Sequence, residues 1–354
     1  MTTRIVKQRN VSYDILRILL CICVIAIHTR PVELQNHKYF NAILPPIIYL
    51  CNPLFFMISG RFNLCKLFEN KKDIVDFYKK RIIQIIIPWF FYSFLLYVWN
   101  IIKLDSYGGL KNFVILFIKK IISNDISYHL WFMYALLGML VSTPFLSIML
   151  NGMSEGQRKI FFYIATIWMA CVSIFPNFGI EFAGNNFLLS GWLYFYYAGW
   201  YLAQGNDDVK ERRYRFLWIA VIAYFMTVII TLCYPSYAHS VDWALPYIVF
   251  VFAIYKYSIV NFNIVQVKVR QFIYILSKRV FSVYMIHVIV IDQVAQWKFI
   301  ASMNAVVRYL FVIAVVFILS VILGIILDKI IDVMINILLV LCRKSAGLCK
   351  KENS

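Results

Sequence analysis

Ten mostly apolar stretches recur along the chain, at roughly 12–29, 41–60, 82–102, 130–150, 160–175, 187–204, 216–234, 243–259, 280–297 and 304–327. Each is near the length that crosses a hydrocarbon core as a helix, about 20 residues. No water is available there to bond an open backbone, and a helix satisfies its own polar groups within one segment. The expected fold is therefore all-α: a polytopic integral membrane helix bundle of about ten transmembrane helices. Composition agrees, since 62% of residues are hydrophobic and only 15% charged, whereas soluble domains carry about a quarter charged.

The formal net charge is +18, which in a soluble protein would suggest a nucleic-acid partner. Its distribution argues otherwise. With the N-terminus inside, the segments expected in the cytoplasm hold 24 Lys and Arg and the external loops hold 7. Such an imbalance sets orientation, and it predicts that both termini are cytoplasmic. Anionic membrane lipid and an anionic cytoplasmic substrate are the secondary partners of this charge. Residues 1–340 are expected to form one transmembrane domain and 341–354 a basic cytoplasmic tail. The first apolar run is too long for a signal-peptide core and lacks a small-residue cleavage site, so it should stay as an anchor. The eight cysteines are scattered, with no CxxC pair and no metal-ligand spacing, so buried soft hydrophobes are expected and no metal.

Within the first span, VSYDILRILLCICVIAIHT, stand Asp14, Arg17 and His28. Arg17 and His28 are eleven residues apart, close to three helical turns, so they share one stripe about 16 Å long. Asp14 lies within about 40° of that stripe. Ionisable groups are costly in a bilayer and normally face a protein interior or a wet cavity, so this seam reads as the wall of a site. A plainer role for Asp14 and Arg17 is mutual neutralisation at i and i+3. The pattern D-x-x-R-x10-H resembles the acyltransferase-3 family of bacterial membrane-bound acyltransferases.

Further elements resemble that family in order. Pro53 to Arg61, P-x-FF-x-x-SG-R, matches its second motif, and Ser59 and Gly60 are small enough for close helix approach. A basic loop over 63–81 ends Phe77-Tyr78-Lys79-Lys80-Arg81 and leads to Pro88, which should distort the third span. Residues 109–122 have helical apolar spacing, suiting an interfacial helix or a lid over the mouth. Tyr128-His129-Leu130-Trp131-Phe132 is similar to an H-L-W-F element, and Gly191 to Trp200 to an aromatic-glycine run. Ser277 to His287 is similar to the late signature S-x4-S-x-Y-x-x-H, placing Ser282, Tyr284 and His287 in an apolar stretch.

The resemblance implies an O-acyltransferase (O-acetyltransferase) of the bacterial cell membrane. It would move an acyl group, usually acetyl from acetyl-CoA, to a hydroxyl of an extracytoplasmic glycan or lipid-linked precursor. His28 would be the general base or a transient acyl carrier, the imidazole being the side chain that titrates nearest neutrality. Arg17 would hold the donor, with Asp14 orienting it. Arg61, Lys80 and Arg81 are candidates for the CoA phosphates, guanidinium geometry suiting phosphate. Glu33, five residues past His28, is a candidate to orient the imidazole, although Pro31 intervenes. Ser59, Trp131, Tyr284 and His287 are cavity candidates, and Glu181 an external contact for an acceptor. A transporter or polysaccharide exporter is the rival class, as is the membrane half of a larger cell-wall enzyme.

Overall fold

The structure, a computed structural model, describes residues 10–104, 110–175, 179–180, 182, 191–204, 213–233, 244–259 and 266–351. No strand occurs among them. Helix α1 spans Val11–His28 and is capped by Asn10, whose side chain accepts from the Ser12 N–H at 2.9 Å. That bond satisfies one of the donors a helix start leaves open. Three short helices, α2 Val32–Gln35, α3 Lys38–Ile43 and α4 Pro45–Ile48, lead into α5 Cys51–Asn63.

The expected basic loop after α5 instead carries helix α6, Lys71–Arg81, started by a capping box in which Asn70 and Asp73 bond reciprocally. Capping of this kind satisfies two orphan donors, so a charged and weakly apolar segment still becomes helical. It runs through a π-helical turn, Ile82–Ile86, into α7, Ile87–Leu104. The turn sits just before Pro88, whose ring has no N–H to donate and crowds the preceding turn, so the wider winding absorbs the misfit. The expected helix near 109–122 is α8, Leu110–Ile122; its Phe113 carbonyl accepts from the Tyr97 hydroxyl at 2.8 Å.

A 3₁₀ turn, Tyr128–Leu130, opens α9, Trp131–Gly152. Then follow α10 Glu155–Ile174, α11 Trp192–Leu202, α12 Arg213–Cys233, α13 Leu245–Ser258, α14 Val267–Val294 and α15 Ala305–Lys351. Among the described residues, seven helical segments are long and apolar enough to cross a membrane: Val11–His28, Lys38–Asn63, Lys71–Lys103, Tyr128–Gly152, Arg213–Cys233, Val267–Val294 and Ala305–Leu341. The other three expected spans are helices too, α10, α11 and α13. Helix α10 starts with the polar turn of Glu155, Arg158 and Lys159, and the other two are short as described.

Of these seven, the segments holding α1 and α5 are the most enclosed and that holding α15 the least, so the first motif lies deep in the bundle. Helix α11 is short but buried from Tyr194 to Trp200. Its hydroxyls find partners there: Tyr196 with Thr143 at 2.7 Å, Tyr194 with Thr166 at 2.9 Å. Buried tyrosines normally need such partners. Helix α14 is held to its neighbours at both ends. Asp292 accepts from Lys103 at 2.9 Å and from Trp99 at 3.2 Å. At the other end Asp328 of α15 accepts from Arg279, from Ser282 and, at 2.8 Å, from Tyr92.

Candidate functional site

Helix α1 presents Arg17, Val24, Ile27 and His28 to one cavity of about 280 Å³. Facing them are Cys51, Asn52, Phe55 and Ser59 of α5, and His129, Trp131, Phe132, Met133 and Leu136 around the start of α9. Ser277, Lys278, Val280, Phe281 and Tyr284 of α14 close it. Arg17 and His28 thus border the same space three turns apart. Asp14 lies behind Arg17, buried, with its carboxylate 3.3 Å from the guanidinium. The Phe62 ring lies 5.2 Å from the Arg17 guanidinium carbon.

Around His28 three imidazoles converge. The His287 ring is 5.3 Å from that of His28 and 5.0 Å from that of His129, centroid to centroid. Tyr128 stands edge-on to His28 at 4.9 Å. His287 and His129 are buried, and the Nε2 of His287 lacks a hydrogen-bond partner. His287 Nδ1 lies 2.7 Å from the Tyr284 carbonyl. A carbonyl only accepts, so Nδ1 carries the proton and the neutral ring has its lone pair on Nε2. His129 Nδ1 pairs with the Ser127 hydroxyl at 2.9 Å, and the Tyr284 hydroxyl donates to the His129 carbonyl. A buried polar nitrogen left unpaired costs about 1–3 kcal/mol, and a fold retains such groups where function requires them.

Arg81 does not reach this cavity. Its guanidinium donates to Asn63 Oδ1 at 2.6 Å, as does the Lys66 ammonium at 3.1 Å, and both cations lie over the Phe77 ring. Partial burial, with Arg81 and Lys80 nearby, lowers the Lys66 ammonium to about 8. Arg61, in the last turn of α5, is also outside the cavity lining. The cations that do line the cavity are Arg17 and Lys278.

On its other side His28 borders a second recess, of about 310 Å³, with Thr29, Arg30, Glu33, Ile291, Ile300 and Arg308 in its wall. Glu33 is not bonded to the imidazole. Its carboxylate accepts from Arg308 of α15 at 2.6 Å, and that bond holds it below the usual carboxylate range. Pro31 turns the chain out of α1, which points Glu33 toward α15. Glu181 lies outside the described residues.

A family model described as an acyltransferase domain, that of acyltransferase 3, matches residues 10–325. The chain belongs to the acyltransferase-3 family. It is a multi-pass membrane protein. It is also 27% identical over 196 residues to an amino-acid racemase of Enterococcus faecalis. That match covers 55% of this chain and spans 26% of the length of the relative. No solved structure matches the chain.

In this member of the family the structure brings Arg17, His28, Ser59, Trp131 and Tyr284 to one cavity, with Asp14 and His287 directly behind it. It adds Lys278, Asn52 and His129 to the same wall. Lys278 reads in the sequence as one more orientation charge. Asn52 is an amide in an apolar span, and that is a usable signal. His129 stands beside Trp131 in a recognised motif, yet its meeting with His287 requires the packing of α9 against α14.

Proposed function

We propose that this acyltransferase is an O-acetyltransferase of a bacterial cell membrane, taking acetyl from cytoplasmic acetyl-CoA to a hydroxyl of an extracytoplasmic glycan or lipid-linked precursor. The supporting observation is that one cavity reaches from Arg17 to His28, about three helical turns along a central helix. The charge imbalance between loops assigns the Arg17 end to the cytoplasm. A cavity of about 280 Å³ suits the acyl thioester arm of the donor, with the nucleotide left at the mouth near Arg17 and Lys278. The separate cluster of Lys66, Lys80 and Arg81 is a second cationic station for its phosphates.

The chemistry then falls to His28. The imidazole takes the proton of the acceptor hydroxyl as its oxygen attacks the thioester carbonyl. The new C–O bond forms, the C–S bond breaks, and the departing thiolate takes up that proton. Arg17 holds the donor so that its carbonyl lies at the imidazole, with Asp14 fixing the guanidinium. Positioning of this kind supplies much of an enzyme's rate. Tyr284 and Trp131 shape the wall opposite.

The test is acetyl transfer by membrane vesicles supplied with radiolabelled acetyl-CoA. His28→Ala should lose at least about a hundredfold, the contribution expected of a general base, and Arg17→Ala should raise the donor KM. Both variants transferring label at the wild-type rate would remove the seam from the mechanism.

A further inference from the structure

The recess beyond His28 holds a feature that the cavity on the donor side does not account for. Arg30 spends one guanidinium nitrogen on Asn41, at 3.3 Å, while its Nε is buried with no acceptor. A buried charged donor without a partner is expensive, and a ligand oxygen is what would complete it. Arg308, across the same recess, is held by Glu33, whose side chain is 60% exposed against 21% for the arginine. Exposed ion pairs contribute little net free energy, so a second anion can displace or share that carboxylate. Two guanidinium groups thus face one carboxylate, which leaves the recess with a surplus positive charge. His28 borders this recess as well as the donor cavity, so a molecule seated here has the imidazole within its reach.

We infer that this recess is the acceptor subsite, and that Arg30 and Arg308 select acceptors bearing an oxyanion, a sugar phosphate or a sugar carboxylate, beside the hydroxyl to be acylated. The inference rests on the acyltransferase reading above. Guanidinium forks match the two oxygens of such a group, and the charge-assisted bonds they make are the strong ones. Glu33 then acts as a placeholder that keeps Arg308 aimed into the recess when no acceptor is present.

The test measures binding without donor, on the full-length purified protein in uncharged detergent, with glucose 1-phosphate, glucuronate and glucose as probes. The anionic sugars should bind at least about tenfold more tightly than glucose, the cost of one lost charge-assisted contact. Arg30→Gln and Arg308→Gln should each remove most of that difference. Arg308→Lys, which keeps the charge and loses the fork, should fall between. Glu33→Gln should tighten anion binding by releasing Arg308, a gain that a merely structural ion pair would not give. Glucose binding as well as glucose 1-phosphate, no binding of either anion, or anion binding unchanged in the Arg30→Gln, Arg308→Gln double variant would each overturn the inference. Displacement of glucose 1-phosphate by phosphatidylglycerol but not by phosphatidylcholine would overturn it too, reassigning the recess to a lipid headgroup. Because no donor is present, failure here leaves acetyl transfer from acetyl-CoA standing, and failure of that transfer leaves the binding result readable.

Discussion

The imidazole of His287 is fixed by the Tyr284 carbonyl and lies against the rings of His28 and His129, its Nε2 without a partner. The arrangement holds His28 in place from behind while the face toward the cavity stays open. His287→Phe, which keeps the ring and removes both nitrogens, should therefore lower kcat by about tenfold or more while leaving the donor KM nearly unchanged. Wild-type kcat in His287→Phe, with a loss in His287→Gln, would assign the effect to ring packing instead. At the Arg17 end, Lys66 offers a direct probe of donor binding. With its ammonium lowered to about 8 by burial and by Arg81 and Lys80, about half of it is neutral at pH 8, against roughly 0.3% of an ordinary lysine. Its acylation by a succinimidyl ester should rise as pH passes 8, two units or so before surface lysines respond. A CoA phosphate seated there would favour the charged form and slow that labelling, whereas labelling unaffected by CoA would place the nucleotide elsewhere. Arg17 and His28 are legible in the sequence because a charge in an apolar run stands out and helical spacing assigns both to one stripe. Lys278 and Lys66 are not, since basic residues at span ends also serve orientation and only packing separates the two uses.

Helices α5 and α11 meet through a reciprocal glycine contact. A Cβ on Gly60 would fall on the Tyr196 carbonyl, and one on Gly199 would fall on the backbone of Met57. In a bilayer, where the surrounding lipid is as apolar as any side chain, close backbone approach is what gives two helices their attraction. Gly60→Ala and Gly199→Ala should each destabilise by about 1–3 kcal/mol, read as earlier unfolding in a thermal melt in detergent, because backbone cannot step aside as a side chain can. Gly138→Ala on α9, whose Cβ would meet nothing within 4 Å, is the control and should leave the melt unchanged. The small residues of both motifs make this contact legible in outline, and Pro88 likewise signals the wound-out turn at Ile82–Ile86. The anchoring of α14 by Asp292 and Asp328 is not legible. Their partners Trp99 and Tyr92 are 193 and 236 residues away in sequence, and no local pattern encodes that register.

Across the whole molecule, the reading depends on the two cavities opening toward opposite faces of the membrane. The apolar runs make the helices legible in the sequence, since the length that crosses a bilayer is set by the bilayer itself. Seven segments meet that length and apolarity among the described residues, and α10, α11 and α13 take the places of the remaining runs. Helix α11 reads as an apolar span although its tyrosines sit deep among other helices, because burial in protein and burial in lipid ask for similar residues. Sidedness is a separate matter, carried only by the loop charges. Cys65, exposed just past α5, marks the Arg17 end, and the exposed Asn36 just past α2 marks the His28 end. A membrane-impermeant maleimide applied to intact cells should label Asn36→Cys strongly above the wild-type background, and should reach Cys65 only after permeabilisation. Labelling in the reverse order would turn the protein over. The donor would then have to enter at the His28 recess and the acceptor at the Arg17 end, exchanging the two assignments. Both ends carry cations, so local charge does not choose between the two directions, and this one labelling pattern decides the proposed direction of transfer across the membrane.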